Sequence, residues 1–376
     1  MRRPTIVGTL VGASLLTLLS AGSVASGGWY GPTRVVADDY PVSPSVVLKA
    51  GVFHAAYLHT QPIGGDVANG IFYASTQTGV WTKERVTTGD DFYARPSIAV
   101  DDQGHAFIAF ARGDPEASRI LLASNETGSW VVEPITATLD RYDVAPNLAF
   151  SGDDLWLTFY RMGRGVFFGS DAGGSWTFTR IATTVGLCPI QALPSLAVGP
   201  GGKPWVAYEA ARSPASGCLG GASAGIRVAT RDGTTWSTQT VTTSLNDLGP
   251  DLATGGSGRP QLSIQRAGSG VLLTKRDAAG SWIPLQWVAA GDDATLAVDA
   301  SNKAHLAYEG PAGVEYATNR SGSWARLPLT DYSIDFGTSS PPVVLLTGQG
   351  KARVLYARSE SDGSEESLGL YLAREP

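Results

Sequence analysis

The chain of 376 residues is poor in the groups that most often carry chemistry. It has two cysteines, four histidines and only 16% charged residues. Two cysteines and four scattered histidines make no zinc-ligand spacing, so neither a metal nor a cofactor is expected. Lysine and arginine total 28 against 34 acidic residues, which leaves no basic footprint for nucleic acid or an anionic membrane. Past the first residues there is no helical period of useful length. No apolar run there approaches the roughly 20 residues that cross a bilayer.

What is present begins with Arg2 and Arg3, an apolar stretch from Ile6 to Leu19, and small residues at Ser23, Ala25 and Ser26. This is the pattern of a signal peptide, with cleavage expected near Ala25. Residues 1–25 are thus read as the signal and 26–376 as one domain of a secreted protein, not an integral membrane protein and expected to be monomeric. Its loss leaves 26 basic against 34 acidic residues, a net charge of −8. In an oxidising compartment Cys188 and Cys218 are expected to form a disulfide.

The dominant signal is an internal repeat. Seven of the ten tryptophans (Trp29, Trp81, Trp130, Trp176, Trp236, Trp282 and Trp324) recur in one context, four of them as Gly-Ser-Trp. An apolar residue usually follows five positions later: Val86, Ile135, Ile181, Val241, Trp287 and Leu329. Between the tryptophans run three more short apolar segments. One is opened by proline, as in PSVVL from Pro44 and PSIAV from Pro96. The second has a central aromatic, as in HAAYLH and WLTFYR. The third is of the type IFYAS. Each is rich in β-branched or aromatic residues and bounded by Gly, Asp, Asn or Pro. Four strands, a to d, in about fifty residues are one blade of a β-propeller. Strands a, b and c occur seven times and the chain stops on a strand c, while the seventh strand d precedes the first strand a. The expectation is an all-β, seven-bladed propeller of four-stranded antiparallel blades, closed by the N-terminal strand joining the C-terminal blade.

The turn Asp171-Ala-Gly-Gly-Ser-Trp176 resembles the Asp-box of sialidase-like propellers, with a shortened copy at Asp232–Trp236 and a lengthened one at Asp277–Trp282. The other blades keep only the glycine and tryptophan. The resemblance implies a turn-stabilising role, with the Asp capping backbone amides and the Trp packed between sheets. It does not extend to the sialidase site: those rings have six blades, and Arg95-Pro96 is a weak echo of their entry motif.

In a meander the d-to-a and b-to-c connections share one side of the disc. That side carries the long, irregular loops: 61–69, 113–118, 211–225 and 359–368. The a-to-b turns on the other side are short and uniform. Variable loops on a rigid face are where binding resides, and both cysteines fall there. The d-to-a connections repeat an acidic and aromatic theme, as in Asp90-Asp91-Phe92-Tyr93 and Asp140-Arg141-Tyr142-Asp143. Strand b ends on Arg112, Arg161, Arg266, Arg358 or, in blade 1, His59. Asp91, Tyr93, Asp140, Tyr142, Arg161 and Glu209 are the candidate binding residues, and ion pairs between blades are an alternative role for the arginines.

The leading functional expectation is recognition of a glycan or extracellular protein surface through the loop face. The alternative is a polysaccharide-active enzyme. As a lyase it would use a base and a charge-neutralising cation drawn from His59, Tyr93, Tyr142, Arg112 and Arg161. As a glycoside hydrolase it would use two carboxylates such as Asp91 and Asp143.

Overall fold

The computed structural model describes residues 28–38, 41–60, 69–88, 93–113, 118–136, 142–183, 194–211, 223–330, 340–358 and 368–376. Among them the regular elements are strands, ordered into seven four-stranded antiparallel sheets. Blade 1 runs Pro41–Lys49, Val52–His59, Gly70–Ser75 and Thr82–Arg85, strands a to d in order. Blades 2 to 6 repeat that order from Tyr93, Asp143, Ser195, Asp247 and Asp292. Blade 7 takes strands a to c from Val343–Leu346, Ala352–Arg358 and Gly369–Arg374. Its strand d is Tyr30–Ala37, with Tyr30 opposite Arg374 and Ala37 opposite Gly369. The ring is closed as the repeat count requires. The segment expected to be a signal peptide, residues 1–25, lies outside the described residues.

Strand b reads as a continuous apolar run because neighbouring blades cover both its faces. Tyr57, Phe110, Phe159, Tyr308 and Tyr356 at its centre are fully buried. The repeated tryptophans fill the wedge between blades: Trp29 packs on Tyr316 at 4.8 Å, Trp130 on Tyr73 at 5.2 Å and Trp236 on Phe168 at 5.0 Å between ring centroids, each reaching strand c of the preceding blade. Asp171 accepts the Leu155 amide at 2.7 Å. Four other blades satisfy the same start of strand b with other side chains: Thr76, Asn125, Asn319 and Glu375 accept from Phe53, Ala106, Ala304 and Ala352 at 2.7–2.9 Å. The start of strand b is therefore capped in the same way where the Asp171 counterpart is absent.

Strand a lines the central channel and carries a recurrent bulge. Ser43, Arg95, Ala145, Gly249 and Asp293 have φ between +40° and +54°, at a register shift in each strand. In four of these blades the next residue is proline, which lacks the N–H that a bulge would leave unpaired. The residue after the proline, or after Ala294 in blade 6, then bonds across to the next blade. Ser45 accepts from Ile98, Ser97 from Leu148, Asn147 from Leu196, Ser195 from Leu252, Asp251 from Leu296 and Thr295 from Val344, all at 2.8–3.2 Å. The Ser43 amide donates to Ser340 Oγ at 2.8 Å and completes this belt between blades 7 and 1.

Candidate functional site

The bulge turns one residue per blade inward at the loop-face end of strand a, where a cavity of about 360 Å³ occupies the channel. Its wall includes Ser43, Arg95, Ala145, Asp251, Gln265 and Asp293. Charge is distributed unevenly around it. Arg95 stands on blade 2. Burial lowers its guanidinium from the ordinary range and the charge of Asp293 on blade 6 opposes that shift. Burial raises the Asp293 carboxyl, as does neighbouring Asp292, while Arg95 pulls it down.

Behind Asp293 lies Glu309, directly opposite Asp292 in the ladder. Burial, then the charges of Asp293 and Asp292, push its carboxyl up to about 8, and its Oε1 is buried with no hydrogen-bond partner. Glu209 holds the same place on blade 4 and is 3% exposed. Burial raises it to about 7 against a bond from the Gly249 amide to Oε1 at 2.9 Å, and Oε2 has no partner. Blades 4 to 6 thus carry Glu209, Gln265 and Glu309 at one position of strand b, and of these Gln265 is on the cavity wall. On the cavity wall itself such a site offers carboxyl groups at Asp251 and Asp293, the Gln265 amide and the Arg95 cation.

The sequence signal for this arc was a break in a series. The strand-b position held by His59, Arg112, Arg161, Arg266 and Arg358 in blades 1, 2, 3, 5 and 7 is Ala210 in blade 4 and Gly310 in blade 6, and those two blades carry Glu one residue earlier. Two arginines of the series are paired with aspartates of their own blade. Arg161 forms a two-pronged ion pair with Asp143 at 2.5 and 2.7 Å, and Arg266 with Asp247 at 2.6 and 3.0 Å. Both pairs join strands b and a of one blade, so they brace blades internally and do not bridge between them.

His59 is held differently. Its Nδ1 lies 2.5 Å from Asp38 Oδ1, at the end of the N-terminal strand. Tyr57 Oη and Lys83 Nζ donate to Asp38 Oδ2 at 2.9 and 3.0 Å. Burial alone would raise the Asp38 carboxyl, but the bonds and charges of His59 and Lys83 outweigh it and hold it at about 2. His59 is buried and its Nε2 has no partner.

Among the other candidates, Tyr93 opens strand a of blade 2 with its backbone opposite Arg112, which is half-buried. Tyr142 is half-buried and its carbonyl accepts from the Met162 amide at 2.9 Å. Asp91, Asp140, Cys188 and Cys218 lie outside the described residues. His59 and Arg161 sit in different blades on separate carboxylates. Asp38, Arg95 and Asp293, which complete these sites, were not among the candidate residues.

A larger cavity of about 590 Å³ lies on the opposite face, bordered by Lys49, Asp101, Asp102, Glu126, Asp153 and Asp171. Asp101, His105 and Glu126 bring ligand-type atoms within 4.8 Å of one another there and could hold a metal ion. The two innermost acids are already engaged in turns: Asp101 accepts from the Gln103 and His105 amides and pairs with His105 Nδ1, and Asp171 caps Leu155. Asp101 and Asp171 of this cavity thus serve the scaffold, and on the channel wall Asp251 does so as well, accepting the Leu296 amide at 2.8 Å.

No protein-family profile matches the sequence, and no curated protein matches it. Solved structures do. The chain is similar to a Penicillium chrysogenum α-L-arabinanase complexed with arabinobiose, at 12% identity and a TM-score of 0.55, over 92% of this chain and 98% of that one. It is similar to an α-L-arabinofuranosidase of Fusarium graminearum with arabinobiose, at 9% identity and 0.52, over 92% and 98%. It is also similar to an ulvan lyase bound to -[GlcA(1-4)Rha3S]-, at 13% identity and 0.55, over 93% and 96%. At these identities the likeness establishes the propeller fold.

Proposed function

We propose that this chain is a secreted carbohydrate-recognising propeller whose sugar site is the mouth of the central channel on the loop face. The observation that carries this reading is the channel cavity itself: Arg95, Gln265 and Asp293 on its wall offer directed hydrogen bonds around a space large enough for a small ligand. A sugar presents hydroxyls that both donate and accept, and a guanidinium facing carboxyl and amide oxygens meets both needs. Three similar folds hold saccharides in their solved structures, which supports the ligand class.

A second reading has one specific observation in its favour. Glu309, raised to about 8, is a carboxylic acid at neutral pH beside Asp293, and such a pair is the equipment of glycoside hydrolysis. The lyase form of the enzyme reading has less support, since His59 is committed to Asp38 and its described contacts do not include Tyr142 or Arg112.

The test is a glycan array on the mature protein, run alongside reducing-sugar release from arabinan and appearance of unsaturated product from ulvan. Recognition predicts glycan binding that Arg95→Ala weakens, with no product. Turnover abolished in Glu309→Gln would establish the hydrolase instead. Neither binding nor turnover would sink both readings.

A further inference from the structure

The last inward-facing position of strand d is apolar and buried in blades 1, 2 and 6, at Val86, Ile135 and Leu329. The repeat spacing places Trp287 there in blade 5. The structure places Val288 there instead, fully buried, with Trp287 paired to Leu272, so the run from the repeated Trp282 is one residue longer in blade 5 than in blades 1, 2 and 6. Trp287 is consequently turned outward and is 49% exposed. The matching outward positions in the other blades are Arg34, Arg85, Pro134, Arg180, Thr240 and Pro328, all exposed and none aromatic.

This indole is fixed, not merely stranded. Its Nε1 donates to Ser269 O at 3.0 Å, in the b-to-c turn of blade 5, which puts the ring at the loop-face edge. The Arg326 guanidinium of blade 6 lies 4.7 Å from the ring centroid, and its Nε donates to the Val288 carbonyl. The ring is held by a hydrogen bond and a stacked cation, and Arg326 keeps guanidinium N–H groups in solvent beside it. No second large exposed hydrophobic side chain lies in blade 5 or 6 among the described residues. A protein contact needs a surrounding apolar patch that excludes water. A sugar ring needs one aromatic surface and adjacent donors.

We propose that Trp287 and Arg326 form an outer saccharide-stacking subsite at the loop-face rim of blades 5 and 6, for the same polysaccharide whose sugars enter the channel mouth. This rests on the carbohydrate reading above. The ligand is a neutral or acidic polysaccharide, whose C–H face would lie on the indole and whose hydroxyl or carboxylate oxygens would accept from Arg326.

The experiment is affinity electrophoresis of the mature protein in gels containing arabinan, ulvan, xylan or pectin, for the wild type, Trp287→Ala, Trp287→Phe, and Thr240→Ala as the matched position on blade 4. The expected result is retardation of the wild type by at least one of these polysaccharides, about tenfold weaker affinity in Trp287→Ala, near-wild-type affinity in Trp287→Phe, and no effect of Thr240→Ala. Oxidation of the intact protein with N-bromosuccinimide, followed by peptide mass analysis, supplies a readout free of folding effects: the retarding polysaccharide should protect Trp287. Equal retardation of wild type and Trp287→Ala, or no protection, overturns this subsite and leaves the channel reading standing. No retardation of the wild type by any of the four, with an empty glycan array, overturns both.

Discussion

Single residues in this ring titrate in opposite directions, and each makes a prediction of its own. Asp38 is the hub of the seam between blades 7 and 1. Its folded carboxyl sits at about 2, below the ordinary 3.8, so its contribution is fully present above the unfolded value and is lost as pH falls through 2. Asp38→Asn strips His59, Tyr57 and Lys83 of an anionic partner and should cost about 3 kcal/mol at neutral pH, the range for breaking a buried pair. The deficit should shrink between pH 4 and pH 2, which thermal melts across that window would check. Glu209 runs the other way. With its folded carboxyl at about 7 instead of 4.5, the neutral form is preferred, and stability is lost as pH rises from 4.5 through 7. Glu209→Gln keeps the acceptor for the Gly249 amide and removes the charge. It should match the wild type at pH 4.5 and exceed it by on the order of 2 kcal/mol at pH 8. A melting difference that is flat with pH would show that Glu209 is already solvated when charged.

At the scale of the strand, the belt around the channel is the least replaceable element. Ser97 Oγ accepts the Leu148 amide at 2.9 Å in a buried setting. Ser97→Ala leaves that amide unpaired and should cost about 1–3 kcal/mol, the desolvation penalty of a buried donor, without changing the outer strands. Hydrogen exchange at Leu148 would report it directly: protection equal to the wild type would mean that the bond contributes nothing. The proline of PSIAV and PNLAF made strand a visible in the sequence, but not the bulge before it. A left-handed residue such as Ala145, at φ +54°, leaves no compositional trace. Strand b was legible because burial on both faces demands an unbroken apolar run. Strand d was legible only in part. One extra residue between Trp282 and the inward position exchanges inward and outward sides in blade 5, which is why Val288 and not Trp287 is buried. The arginines at the ends of strand b were visible too, but whether each faces a ligand or an aspartate depends on the partner strand. The carboxyl arc of Glu209 and Glu309 became apparent only where that arginine series fails.

For the whole molecule, the decisive feature is that a ring of seven otherwise sequential blades has one non-sequential joint. Residues 28–38 bring to it Trp29 and Val36, 5% and 6% exposed, a ladder from Tyr30–Arg374 to Ala37–Gly369, and the Asp38 hub. Burial of those two apolar side chains alone is worth on the order of 5 kcal/mol. Deleting residues 28–39 removes all of it at once. It also leaves Gly369–Arg374 as an unpaired strand edge, a template for association between chains. The expected outcome is a truncated protein that melts at much lower temperature and runs as aggregate in size-exclusion chromatography. Trp29→Ala provides a graded control: it should cost about 3–5 kcal/mol through lost packing on Tyr316, while the strand pairing keeps the edge covered and the protein monodisperse. If the deletion melts with the parent, the joint contributes little and blades 1 to 6 are stable without closure. If Trp29→Ala aggregates as the deletion does, the aromatic wedge and not the covered edge is what keeps the chains apart.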